Sequence, residues 1–213
     1  MFMNNDKQRK KIFLILFTFI LLWFSVIFSV RFGSVNYSTG EIFRGIFVKN
    51  YDDEILKAIL WDIRIPRILI AVMVGCNLSL AGVLLQAVMK NPLADPGLTG
   101  VSSGASVTAL IVMILFPKTI FFMNFSAFIG GAIACAIVFT LAWKKGLKPI
   151  RVILSGVAIN AILGSITGLM FILFSDEIQG VLSWLNGSLN GKNWRHVIGL
   201  FPYTIFGLIA CLT

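Results

Sequence analysis

The chain has 213 residues, 58% of them hydrophobic and only 13% charged, with a formal net charge of +9. A soluble domain carries about 25% charged residues, so the composition excludes an ordinary soluble enzyme and indicates an integral membrane protein with room for about six spans of about 20 residues. The positive balance is read as basic residues gathered in cytoplasmic loops, and no nucleic-acid partner is expected.

Residues 1 to 11 hold Lys7, Arg9, Lys10 and Lys11 against Asp6, and an apolar run follows. The run is too long for a signal peptide and lacks a small-residue cleavage site, so a retained first span over about 12–32 is expected, with a cytoplasmic N-terminus. Residues 33–67 form an outer segment in which Arg44, Lys49, Lys57, Arg64 and Arg67 balance Glu41, Asp52, Asp53, Glu54 and Asp62. Helical spacing of Ile42, Phe43, Ile46 and Phe47, and of Ile55, Ile59 and Ile63, predicts amphipathic helix there with those residues on its apolar face.

A second span is expected over about 68–89, returning to the cytoplasm at Lys90. Asn91-Pro92 and Asp95-Pro96 each pair an N-cap side chain with a proline suited to the first helical position. Two such starts predict a short broken turn, then a third span over about 97–116 with Gly100, Gly104 and Thr108 on one face. A fourth span, about 119–143, leads to Lys144, Lys145, Lys148 and Arg151, a loop without acids. That loop and the N-terminus agree on sidedness, because an even number of crossings separates them.

The fifth span, about 152–174, carries Gly156, Asn160, Gly164 and Gly168 at four-residue spacing, with Thr167 beside them. Such a stripe is either a close helix contact or a face bordering a wet pathway, since an amide facing hydrocarbon costs several kcal/mol by order of magnitude. Residues 175–196 are too short and polar to span, so an outer interfacial helix with Trp184 and Trp194 at headgroup level is expected. A sixth apolar run occupies 197–213.

Chemistry-bearing motifs are few. Gly187 to Lys192 imitates a phosphate loop, but its glycines are too close and Asn193 stands where a magnesium-binding Ser or Thr is needed. Cys76, Cys135 and Cys211 sit singly in apolar runs and His196 has no metal-ligand partner nearby, so no catalytic residue, metal site or bound cofactor is expected.

Other motifs carry a resemblance. Arg64-x-Pro66-Arg67, Gly75, Ala81-Gly82, Gln86, Asn91-Pro92-Leu93-Ala94-Asp95-Pro96, Gly100-Val101-Ser102-x-Gly104-Ala105, Leu154-x-Gly156-Val157-Ala158 and Trp184-x-x-Gly187-Ser188-Leu189 resemble the FecCD family. Its members are permease subunits of ABC importers for iron siderophores, haem and cobalamin. The resemblance implies an all-α polytopic permease of about ten spans in the cell membrane, of which this chain holds about six and looks truncated. It further implies a second permease subunit (homo- or heterodimer), two ATPase subunits that use ATP, and a substrate-binding protein. A ferric siderophore is the expected cargo, with haem or cobalamin as alternatives. By the same resemblance Arg64 and Arg67 dock the binding protein, while Asn160, Gly164, Thr167 and Gly168 face the translocation path. Asn91, Pro92, Asp95, Pro96, Gly100 and Gly104 form a structural turn. A self-contained channel or a membrane-embedded enzyme is the reading from a different class.

Overall fold

The computed structural model describes residues 3–33, 35, 37–48, 53–144, 146, 148–175 and 178–212, and every regular element among them is helical. Among the described residues, five helical stretches are long and apolar enough to cross a membrane: Lys7–Arg31, Glu54–Met89, Pro117–Ala142, Pro149–Leu173 and Trp194–Cys211. A sixth apolar helix, Val101–Leu115, is shorter. The chain divides into two compact units, one of residues 1–75 and 189–206, the other of residues 76–188 and 207–213.

The first unit starts with α1 (Met3–Arg31), a helix whose apolar side chains from Ile12 to Phe28 are largely exposed, as a lipid-facing span requires. Helix α2 (Thr39–Phe47) opens with a capping box, in which Ser38 and Glu41 satisfy each other's backbone N–H groups. Helix α3 (Glu54–Ala58) is capped by Asp53, whose Oδ1 accepts from the Leu56 N–H at 2.9 Å. It continues without a break into a π-helical turn, Ile59–Arg64, and then into α4 (Ile65–Met89). The wide turn ends just before Pro66, whose ring would collide with the carbonyl four residues back in a regular α-helix.

The whole helical run, Glu54–Met89, has 36 residues. At 1.5 Å per residue it is about 54 Å long, against a hydrocarbon core of roughly 30 Å. The run is longer than one crossing needs, and its first turns, residues 54–67, form a stalk that carries Glu54, Lys57, Asp62, Arg64 and Arg67.

The expected apolar face of that stalk is corrected by the structure. Leu56 and Leu60 are fully buried with Ile42, while Ile55 is 70% and Ile63 46% exposed. The inner face is set by α2, where Gly45 lies so close that an added Cβ would stand 2.9 Å from a Leu60 methyl. Ile55 and Ile63 consequently face outward, and Ile59 is partly buried.

The second unit is built on α5 (Val101–Leu115), α6 (Met123–Ala142) and α7 (Pro149–Leu173). Helices α5 and α6 cross closely at glycines: a Cβ on Gly104 would come within 2.5 Å of the Ala134 Cβ, and one on Gly130 would strike the Thr108 side chain. Thr108 also donates to the Ser126 carbonyl at 3.0 Å, joining the two helices. Met89, Ala94, Val138, Ala142 and Val152 form one buried cluster; Leu110, Ile114, Met170 and Val181 form another, the last from α8 (Ile178–Leu185).

The helix of the outer segment 175–196 is α8. It ends at Leu185, and Gly187 and Gly191 follow with φ of 74° and 70°, the left-handed turn that glycine adopts at no steric cost. Trp194 begins α9 (Trp194–Leu212) and donates its indole N–H to the Trp61 carbonyl at 2.8 Å.

Candidate functional site

The turn after α4 is built from local hydrogen bonds. Lys90 takes a left-handed φ of 49°, and the Asn91 side chain accepts from the Leu93 N–H at 2.9 Å, closing a turn rather than starting a helix. Of the two expected helix starts, only Asp95-Pro96 serves as one. The Asp95 carboxylate accepts from the Gly97 N–H at 2.7 Å and opens a single 3₁₀ turn, Pro96–Thr99. The expected third span is thus interrupted at Gly100, whose φ of 78° breaks the helix before α5 begins at Val101.

Helix α7 grips this turn. Gly156 lies against the Leu98 carbonyl with no room for a methyl group. One turn further on, Asn160 donates to the Gly97 carbonyl at 3.0 Å and accepts from the Ser103 hydroxyl at 2.7 Å. Asn160 is therefore a strut between α7, the 3₁₀ turn and α5, and its amide is satisfied within the fold.

The lower half of the stripe differs. A Cβ added at Gly164 or Gly168 would meet nothing within 4 Å, and Thr167 bonds only within its own helix, to the Leu163 carbonyl at 3.0 Å. The reason is geometric. At 3.6 residues per turn, each four-residue step drifts by about 40°, so Gly168 lies about 120° around the helix from Gly156. The four positions begin at a packed contact and end on an open face.

The two arginines of the stalk also separate. Arg64 is buried, 8% exposed. Its Nη1 donates to the Val30 carbonyl at 2.6 Å and the Arg31 carbonyl at 3.3 Å, and its Nη2 donates to the Val35 carbonyl at 2.6 Å. Arg64 thus turns inward toward the end of α1 instead of outward. Arg67 is half-buried, and its Nε finds no hydrogen-bond partner.

Residues for which the sequence suggests no positioning role make further contacts. Ser126, Gly130 and Ala134 repeat every four residues on α6, the same small-residue signal noticed on α7. Arg151 donates to the Lys144 and Gly146 carbonyls at 2.5 Å each and ties down the basic loop. His196 lies 2.9 Å from the Asn193 amide oxygen at the start of α9. Among the described residues, no group of three or more His, Cys, Asp or Glu side chains is arranged to hold a metal ion.

The model of the FecCD transport family matches residues 21–213. The chain belongs to the FecCD transport family. Among its FecCD relatives is the Fe(3+)-citrate import system permease protein YfmE of Bacillus subtilis, 32% identical over 203 residues, which cover 95% of this chain and 60% of that protein. The iron(3+)-hydroxamate permease protein FhuG of the same organism is 30% identical over 218 residues, covering 98% of this chain and 64% of the relative. The cobalamin import system permease protein BtuC of Halobacterium salinarum is 36% identical over 160 residues, covering 75% and 43%. A solved structure of a metal-chelate type ABC transporter in an inward-facing conformation superposes with a TM-score of 0.73 at 26% identity, covering 90% of this chain and 59% of that one. The chain spans about 60% of the length of the first of these FecCD relatives.

Proposed function

We propose that this chain provides membrane-spanning helices of a permease subunit in an ABC importer of the cell membrane, carrying a ferric siderophore inward from a substrate-binding protein. Family membership over residues 21–213 is the observation that carries the reading. Relatives named as iron-citrate and iron-hydroxamate permeases support an iron chelate as cargo. ATP hydrolysis belongs to two partner ATPase subunits, and a second permease subunit completes the path. The cargo crosses without covalent change, so this chain needs no catalytic group.

Within that reading, the open face of α7 at Gly164, Thr167 and Gly168 borders the path, and Asn160 holds the Asn91–Gly104 turn in register behind it. The outer end of the stalk meets the binding protein through arginine. Charge-assisted Arg–carboxylate pairs there supply orientation and encounter rate more than bulk affinity.

Uptake by cells that produce the chain together with its partner subunits tests the proposal. Iron-starved cells of a strain lacking its own chelate importers should accumulate radiolabelled iron from a citrate or hydroxamate chelate, and should lose that ability when the chain is removed. Cobalamin is the second reading, favoured by the 36% identity to the Halobacterium permease. Uptake of labelled cobalamin but no iron chelate would replace the first reading with the second, and uptake of neither would sink both.

A further inference from the structure

We propose that the Trp194 indole stands in for the main-chain N–H that Pro66 lacks, and that it thereby latches the start of α9 to the π-helical turn of the stalk. The latch rests on geometry within the first compact unit and is independent of the importer reading above.

The need for such a donor arises in the backbone. In a π-helical turn each N–H reaches back five residues instead of four, and the Ile65 N–H accordingly donates to the Leu60 carbonyl. The next carbonyl along the chain is that of Trp61. Its α-helical donor, the Ile65 N–H, is taken by Leu60, and its π-helical donor would be residue 66, a proline with no N–H to give. The wide turn that makes room for the Pro66 ring thus leaves one carbonyl without a main-chain donor. Main-chain carbonyls are obligatory acceptors, and an unpaired one beside lipid is costly.

The indole meets that need from 133 positions away: the Trp194 Nε1 donates to the Trp61 carbonyl at 2.8 Å. An indole N–H is a donor only, so it serves this role as a main-chain amide would. Local bonds fix where it starts from. The Asn193 carbonyl accepts from the His196 and Val197 N–H groups at 3.0 and 3.3 Å, and the Asn193 side chain accepts from the Arg195 N–H at 3.1 Å. Asn193 is therefore the N-cap of α9, and Trp194 is held as the first residue of its first turn. Trp194 is accordingly a positioning residue, acting through the Trp61 carbonyl on the stalk.

A tryptophan that anchors the chain at headgroup level acts through lipid, whatever stands at residue 66. A latch matters only while residue 66 cannot donate. The test therefore compares Trp194→Phe, Pro66→Ala and the double variant, each as the full chain in lipid nanodiscs, by hydrogen–deuterium exchange across the first three turns of α9 and by the thermal unfolding midpoint. Trp194→Phe keeps a ring and removes the donor; it should raise that exchange about tenfold and lower the midpoint by about 3 °C, the shift of a single hydrogen bond in a chain of this size. Pro66→Ala supplies the missing N–H, so in its background Trp194→Phe should lower the midpoint by less than half as much. Should Trp194→Phe alone not fold, the double variant should recover a folded chain, and its failure as well would overturn the proposal. Equal midpoint losses in both backgrounds would overturn the substitution of indole for amide and make Trp194 a lipid anchor. Unchanged exchange at the start of α9 in Trp194→Phe would overturn the latch.

Discussion

Gly156 of α7 sits directly against the backbone carbonyl of Leu98, and no side chain fits between them. Because the opposing atom is backbone, it cannot swing aside as a flexible side chain would. Gly156→Ala should therefore destabilise the protein by about 3 kcal/mol, the upper end of ordinary overpacking. Gly164→Ala and Gly168→Ala, introduced into open space, should change stability by less than about 1 kcal/mol and gain from alanine's helix propensity. Unfolding midpoints of the three variants in one detergent provide the comparison, and equal losses at all three positions would contradict the division of the stripe.

The Asn160 strut makes a smaller, measurable contribution. Hydrogen bonds between membrane helices average about 0.6 kcal/mol and reach about 1.7, so Asn160→Ala, which removes the bonds to Gly97 and Ser103, should cost about 1–2 kcal/mol. A double-mutant cycle with Ser103→Ala should return a coupling of about 0.6 kcal/mol. A coupling of zero would mean that the Ser103 contact contributes nothing to stability.

Solvent access separates the two halves of α7 independently of stability. With Cys76, Cys135 and Cys211 replaced, cysteines at Gly164 and Gly168 should react with a soluble thiol reagent in the assembled importer, and one at Asn160 should react much more slowly. Protection of both glycine positions would remove them from the proposed path.

The α5–α6 crossing predicts a particular sign of coupling. A methyl group at Gly130 collides with Thr108 and with the Gly104 carbonyl, so Gly130→Ala should cost about 2–3 kcal/mol. Adding Thr108→Ala removes one of the two obstacles and should recover part of that loss, although Thr108→Ala alone is destabilising because it gives up the bond to Ser126. Purely additive losses would show that the helices relieve the clash by moving apart.

The features that could be read from sequence depend on neighbours along the chain. Long apolar runs locate the membrane spans, and Asp95 signals a helix start because its acceptor and the Gly97 N–H that it serves lie within two residues. The direction of Arg64 was not legible, since its acceptors at Val30, Arg31 and Val35 lie 29 to 34 positions away. The outward direction of Ile55 and Ile63 was not legible for a related reason: isoleucines at four-residue spacing identify an apolar face but not which neighbour covers it, and α2 covers Leu56 and Leu60 instead. On α7 helical drift spreads the four-residue pattern over two environments, with Asn160 bonded to Gly97 and Ser103 and Gly164 and Gly168 beside open space, a difference that spacing alone does not show.

The π-helical turn at Ile59–Arg64 makes the stalk sensitive to a change that leaves its composition almost untouched. A wide turn accommodates an extra residue within an otherwise α-helical run. Removing one residue from 61–63 would let that run close into regular α-helix with little net rotation, because a π-helical turn of six residues winds about as far as five residues of α-helix. The closed turn would set the Pro66 ring against the carbonyl four residues back, and the run would kink there instead. In this stretch the count of residues matters as much as their identity, so single-residue gaps should be far less tolerated here than substitutions at the exposed Ile63.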